Sequence, residues 1–530
     1  MKMKTISKIL FLAVFLLPIA ACSDFLEEDP KGRLSNETFF SNEAELNMSL
    51  HALYKQVLNF HQQNDRMTFL WMGDDISTHP ASNKQIYREF DNFSPADDNA
   101  GIGNGWSYLF RVVKAANYII NNADKTPISD QSKIDGAIGQ ALYWRAYAYF
   151  YLVKVWGPIP VMLNDGELNY EATLTPAADV FNIVVEDLKR AETLLPATWS
   201  GAPQAMNGMN IAVSQGAAKA TLAYVYLNMA GWPLNQNDKL QLAAQKAKEV
   251  IDGVNSGTYY YDLLSDYSQV HSWEYNYKNK EVIIAIYFNK DWGWEDNSMS
   301  SLCDILDEAG GWGDSCGEIG FWKKFPAGPR KDATYAPKTL RNTSDGALVD
   351  WWECAGPTFN PWFIKTAEAR GRVEYDYTVG GLNSEYLGEK AHQIIRLSEV
   401  YCWYAEAVGR SGGNDALAYE VLNKVRVRAG LDEIKTGSLS AEQLAEAAYD
   451  EHGWEIAGNY WGNIAPRFFD MQRMNRVKDH FEYRKANAPV EVAPGVFMQE
   501  SILVNGSWND KLMYADYPAK DVMMNPNLKR

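Results

Sequence analysis

Between residues 289 and 322 the chain sets indoles among acids and amides. Trp292, Trp294, Trp312 and Trp322 are interleaved with Asp291, Glu295, Asp296, Asn297, Asp307, Glu308 and Asp314. That combination suits sugar recognition: a pyranose presents a flat C–H face to an aromatic ring, while its hydroxyls bond to carboxylates and amides. By analogy with aromatic pairs each stacking contact contributes about 0.5–1.5 kcal/mol, so two or three exposed rings give roughly millimolar to micromolar affinity. The candidate site is therefore Trp292, Trp294, Trp312 and Trp322 with Asp296 and Asn297. Trp71, close to Asp74 and Asp75, marks a second candidate region. Most tryptophans in any fold are core residues, so at least one of the four, rather than all, is expected to face ligand.

Other chemistry is less well supplied. A glycosidase needs two carboxylates across a cleft. Glu295/Asp296 and Asp307/Glu308 are available, but 67 acidic residues offer such pairs anywhere. The seven histidines are scattered and make no HExxH pattern, and Asp450-Glu451-His452 reads as a helix-surface or core feature. Gly101-Ile102-Gly103-Asn104-Gly105 mimics a nucleotide loop but follows no buried strand, so it reads as a turn before a helix at Trp106. No catalytic residue, metal ligand or cofactor is assigned. The Asp- and Asn-rich loops are compatible with a structural Ca²⁺, although solvated turns are the commoner use of such residues. The formal charge of −17 repels phosphate backbones, which argues against a nucleic-acid partner.

The N-terminus carries an address. Lys2, Lys4 and Lys8 precede an apolar run from Ile9 to Ile19, then Ala20, Ala21 and Cys22. That is the layout of a secretory signal peptide, and the run is too short to span a bilayer. Ile19-Ala20-Ala21-Cys22 resembles a bacterial lipobox, with Cys22 lipidated and the membrane link an acyl anchor. Loss of residues 1–21 removes three lysines and no acid, leaving −20. The acidic Ser23–Asp29 stretch resembles an export tag for the cell surface. Cys402 reads as a core thiol; an oxidising compartment permits one bridge among Cys303, Cys316 and Cys354.

The elements that must carry these residues are mostly helices. Residues 140–156 are apolar nearly all round, which predicts a helix buried on most sides and stopped at Gly157-Pro158. Thr175 is the expected N-cap of the next helix, with Pro176 in its first position and Val180, Val184, Leu188, Ala191 and Leu195 on one face. Helix pairs are expected at 43–60 with 104–123, 132–156 with 176–195, 213–230 with 238–252, and 393–410 with 415–429. Gly253 and Gly430 are the expected stops of their helices. Glu281–Phe288 reads as one buried strand. The expected architecture is mainly α, a tetratricopeptide-like scaffold of helix hairpins with an irregular, loop-rich ligand-binding region. Its divisions are a signal peptide (1–21), a lipidated tether (22–34), scaffold (35–254), loop-rich binding region (255–390) and C-terminal scaffold (391–530).

Six segments, in order, resemble the SusD/RagB family of outer-membrane nutrient-uptake lipoproteins. They are Phe25–Pro30 after the lipid cysteine, QALYWRAYAYFYLVKVWGPIP at 140–160, the helix at 175–196, and Ala217–Ala220. HQIIRLSEVYCWYAEAVGRSGG with ALAYEVLNKVRVRAGL at 392–431 is the most specific, and Tyr517-Pro518 with Asn525–Leu528 match the tail. Residues 449–473 depart from the pattern, keeping Glu455, Trp461, Arg467, Asp470 and Arg473 in an altered context. The resemblance implies a glycan-binding protein that catalyses nothing. It also implies a partner, a SusC-like TonB-dependent transporter on which the protein sits as a hinged lid. A peptide-capturing or scaffold protein of the same fold is the alternative, and a lipid-anchored glycosidase a weaker one.

Overall fold

The computed structural model describes residues 39–66, 68–79, 84–165, 169–288, 313–340, 348–354, 360–365, 388–459 and 464–529. Cys22, Cys303, Trp292, Trp294, Asp296, Asn297 and Trp312 lie outside them. The described chain is mostly helical: α1 (Glu43–Gln62), α2 (Gln85–Asp91), α3 (Ala100–Asn122), α4 (Gln131–Trp156), α5 (Ala177–Leu194), α6 (Gln215–Ala230), α7 (Lys239–Asn255), α8 (Ile319–Lys324), α9 (Pro329–Thr334), α10 (Leu397–Arg410), α11 (Ala416–Arg428), α12 (Ala441–Ile456), α13 (Arg467–Arg473), α14 (Val477–Ala486) and α15 (Ala519–Met524). Strands are short and pair two by two: β1 (Ile76–Thr78) with β5 (Ser315–Gly317), β2 (Ala205–Met206) with β3 (Met209–Asn210), β4 (Val282–Ile286) with β8 (His392–Arg396), β6 (Thr339–Leu340) with β7 (Leu348–Val349), and β9 (Val490–Ala493) with β10 (Val496–Met498).

Helices pack on their neighbours in a series: α1 on α3, α3 on α4, α4 on α5, α5 on α6, α6 on α7, and α10 on α7, α11 and α12. The four expected hairpins are present. In α4 every residue from Gly136 to Trp156 is buried, as its all-round apolar pattern predicts. Arg145 enters that core because Asp187 of α5 takes its guanidinium in two bonds of 2.7 and 2.6 Å, and Asn117 of α3 takes a third at 2.9 Å. A paired, hydrogen-bonded charge avoids most of the cost of desolvation. The C-terminal segment straps the end of α4: Ala515 N–H donates to Val155 O at 2.8 Å and Trp156 Nε1 to Asp516 O at 3.1 Å. Tyr517 Oη donates to Pro158 O, and Asn525 Nδ2 to Ala172 O at 2.8 Å, which gives the tail motif a structural use.

Several boundaries differ from expectation. Residues 392–396 form β8 rather than the first turn of α10, because β4 needs a partner and all five residues are buried in the pair. Pro176 is the N-cap of α5, one residue later than expected, since Thr175 is held in an antiparallel bridge to Ile159. Gly253 lies inside α7 instead of ending it; its missing Cβ leaves room for the Tyr259 ring. Gly101–Gly105 opens α3 rather than preceding it, capped by Asn99, whose side chain accepts from Gly101 N. Gly430 does stop its helix, at φ +82°.

Candidate functional site

β1 and β5 form a two-stranded floor to the site. Their antiparallel register, Ile76 with Gly317 and Thr78 with Ser315, is extended by His79 N–H donating to Asp314 O at 3.0 Å. Gly317 N–H in turn donates to Pro361 O at 2.6 Å, and Glu318 N–H to Asp75 O at 3.1 Å. Three chain segments distant in sequence are thereby tied edge to edge.

Beneath this floor lies a buried acid cluster. Glu500 accepts from Ile319 N–H at 2.6 Å, Asn360 Nδ2 at 2.7 Å and Ser77 Oγ at 3.2 Å. Asp91 accepts from Thr78 N–H at 2.8 Å and from Arg484 Nη1 at 2.9 Å. Burial, reinforced by the neighbouring Glu500 charge, raises the Glu318 carboxyl to about 8; burial also raises Glu500, against the pull of Arg484. The Arg484 guanidinium is paired with Asp91, so it offsets the two glutamates without bonding either. The cluster ties α8, β1, Asn360 and α14 together.

On this base stands an aromatic group. Glu318 caps α8 by accepting from Phe321 N–H, and α8 presents Trp322. Trp351 and Trp352 come from a tight turn at Trp351–Glu353, fixed by a capping box between Asp350 and Glu353. The Trp322 ring lies 5.3 Å from Trp351 at 87° and 5.7 Å from Trp352 at 59°, and the latter two lie 5.4 Å apart at 81°. Trp351 is buried with Ile319 and Val492 of β9, whereas Trp322 and Trp352 are half-buried against that cluster, as are Val490, Val496 and Met498 of the β9–β10 hairpin. Lys331 Nζ sits 4.1 Å from the Trp322 ring centroid and donates to Trp322 O at 2.7 Å and Phe325 O at 3.1 Å. Burial, with the Lys323 charge beside it, lowers its ammonium to about 8. Two indoles on a rigid base and a cation between backbone carbonyls can stack an apolar ring face and donate to a hydroxyl.

Of the candidate ligand-site residues Trp292, Trp294, Trp312, Trp322, Asp296, Asn297 and Trp71, only Trp322 and Trp71 fall among those described. Trp322 is in the group above. Trp71 is a correction: it is fully buried at 0% exposure and stacked on Tyr87 at 4.4 Å and 14°. Its acidic neighbours are structural too. Asp74 receives both Arg467 Nε and Nη2 at 2.8 Å, and Asp75 accepts from Gly458 N–H at 2.8 Å. These partners lie nearly 400 residues away, so local spacing gives no hint of them. Trp362 and Trp351 are also core. Sequence reasoning passed over Trp352 as a partner of Trp322, and Lys331. The adjacent Trp351-Trp352 doublet was a usable signal, since consecutive residues of a turn point in different directions.

Of Asp450-Glu451-His452, the glutamate and histidine prove to be core and the aspartate is exposed. His452 Nδ1 lies 2.7 Å from Asp470 Oδ2, and although burial opposes its charge, Asp470 and Glu399 raise it to about 9. Cys402, Cys316 and Cys354 are buried, Cys316 Sγ at 3.3 Å from Ser77 O. Among the described residues no group of three or more His, Cys, Asp or Glu is placed to hold a metal ion.

A family model described as starch-binding and associating with the outer membrane matches residues 24–227, and a SusD family model matches residues 327–530. Together they cover more than half of the chain. A SusD-like protein of Bacteroides ovatus is 27% identical, covering 98% of this chain and 97% of its own length. Among solved structures, a SusD homologue from Bacteroides thetaiotaomicron superposes with a TM-score of 0.75 at 19% identity, over 94% of this chain and 98% of that one. A laminarin-binding SusD-like protein superposes with a TM-score of 0.69 at 22% identity, over 92% and 98%.

Proposed function

The chain belongs to the SusD/RagB family, and on that premise we propose that it captures an oligosaccharide at the Trp322–Trp352 face and passes it to a SusC-like TonB-dependent transporter, without cleaving it. The observation that carries this reading is the pair of half-buried indoles held at 5.7 Å beside Lys331. Their supports are locked by hydrogen bonds and burial, so little ordering entropy opposes binding. The saccharide named for a relative, laminarin, supports the ligand class. Lipidation at Cys22 supplies the link to the outer membrane, with which the matching family model is associated. Among the described residues no helix is long and apolar enough to cross a membrane.

Native affinity electrophoresis in gels containing laminarin, xyloglucan, starch, xylan or mannan tests this. At least one glycan is expected to retard the protein, with less retardation of W322A and W352A and no release of reducing ends on incubation. Retardation by none, with retention of peptides instead, would favour the peptide-capturing alternative; release of reducing ends would favour an enzyme.

A further inference from the structure

A second feature of the scaffold resembles a ligand site and shares no residue with the Trp322 group. A cleft of about 920 Å³ opens between α1, α4, the segment 199–212 and the end of β4. That size falls within the roughly 300–1,000 Å³ of small-molecule sites. Aromatic and amide side chains line it: Tyr54, Trp199 and Tyr287 with Gln140 and Gln204.

The walls are built rather than incidental. Tyr54 Oη donates to Gln140 Oε1 at 2.9 Å, and Gln140, only 3% exposed, donates through Nε2 to Gly136 O at 3.0 Å. Trp199 is fixed at both ends, its backbone N–H donating to Asn210 Oδ1 at 2.8 Å and its Nε1 to Val213 O at 2.8 Å. Gly136 lets the indole settle on α4, since a Cβ there would stand 2.9 Å from the ring edge. An indole so restrained offers its surface with little entropy left to lose. Charge in the cleft is nearly balanced: Lys133 is paired with Glu43 at 2.6 Å, and Lys55 is offset by Asp130. An anionic ligand gains little there, and a neutral one bearing both C–H faces and hydroxyls gains most.

We propose that this cleft is a second saccharide site, which takes a short uncharged oligosaccharide by stacking on Trp199 and hydrogen bonding to Gln140 and Gln204. It rests on the saccharide reading of the protein, but on different residues. Two sites on one rigid body raise the effective concentration of a chain long enough to reach both.

Fluorine NMR of the full chain labelled with fluorotryptophan separates the two claims, with W199F and W322F assigning their resonances. The probes are laminarihexaose, cellohexaose, maltoheptaose, xylohexaose, mannohexaose and a xyloglucan heptasaccharide. The Trp199 resonance is expected to move with at least one probe, and to do so equally in W322A/W352A. Gly136→Ala, which pushes the indole off its seat while favouring the helix, is expected to weaken that response about tenfold with the melting temperature retained. A Trp199 resonance unmoved by every probe while that of Trp322 moves overturns the second site and leaves the first. Movement of Trp199 alone leaves the second site and overturns the first. A Trp199 response that vanishes in W322A/W352A shows a relay from the first site and overturns the second.

Discussion

Removing one charge from the buried ion network should destabilise the whole scaffold. Glu455 of α12 lies at its centre. Arg330 Nη1 reaches it at 2.9 Å and Arg396 Nη1 at 2.7 Å, and Arg428 Nη2 also reaches it. Arg330 also meets Glu451 at 2.6 Å, and Arg396 meets Glu281, the residue before β4, at 2.9 Å, so α9, β8, α11 and α12 share one network with the start of β4. All of these side chains are 4% exposed or less. Glu455→Gln keeps the shape and strands guanidinium charge in the core, a change that costs about 3–5 kcal/mol. With an unfolding entropy of about 2.1 cal/mol/K per residue, a chain of this length has roughly 1 kcal/mol/K, so the melting temperature should fall by about 3–5 °C. Burial opposes the Glu455 charge, but Arg428, Arg396 and Arg330 outweigh it and hold the carboxyl well below its usual 4.5. The pair's contribution is therefore full above pH 4.5 and lost as pH falls toward the folded value. Scanning calorimetry of wild type and E455Q at pH 7 and pH 3 measures both effects. Equal melting temperatures at pH 7, or a gap that widens in acid, would refute the reasoning.

Three further outcomes follow from the same structure. Burial, with Asp74 adding to it, raises Asp75 to about 7 from 3.8, so its folded form favours the proton. Stability present below pH 3.8 is lost as pH rises through 7, and D75N should abolish that slope in urea midpoints measured from pH 4 to pH 8. Gly231→Ala would set a Cβ against the Arg473 backbone carbonyl and should cost about 1–3 kcal/mol in urea unfolding, whereas Gly103→Ala in α3 meets nothing within 4 Å and should stabilise by about 0.5–1 kcal/mol. Lys331→Met keeps the packing on Trp322 but removes the ammonium, and should weaken glycan retention in affinity gels without lowering the melting temperature by more than about 2 °C.

What could be read from sequence was whatever local pattern controls. The all-round apolar face of α4 and the four helix hairpins follow from periodicity, and the family motifs give the order in which they occur. The register of β8 was missed because HQIIR fits either a strand or a first helical turn, and the choice is made by β4, more than 100 residues earlier. Trp71 looked like Trp322 because both sit among polar residues. What separates them is a distant partner, Tyr87 stacked on one and the β9–β10 hairpin leaving the other half open. The function of Arg467, Arg473 and Glu455 in ion pairs was likewise hidden, since a motif shows that charges are present and not which of them meet.

Calorimetric titration of wild type, W322A, W352A and W322A/W352A with the oligosaccharide that retards the wild type probes capture at this face most directly. Each single substitution should lower affinity about 2- to 13-fold and the pair roughly 5- to 160-fold, the equivalent of 0.5–1.5 kcal/mol per ring. A double variant that binds as tightly as the wild type would contradict capture by these two indoles.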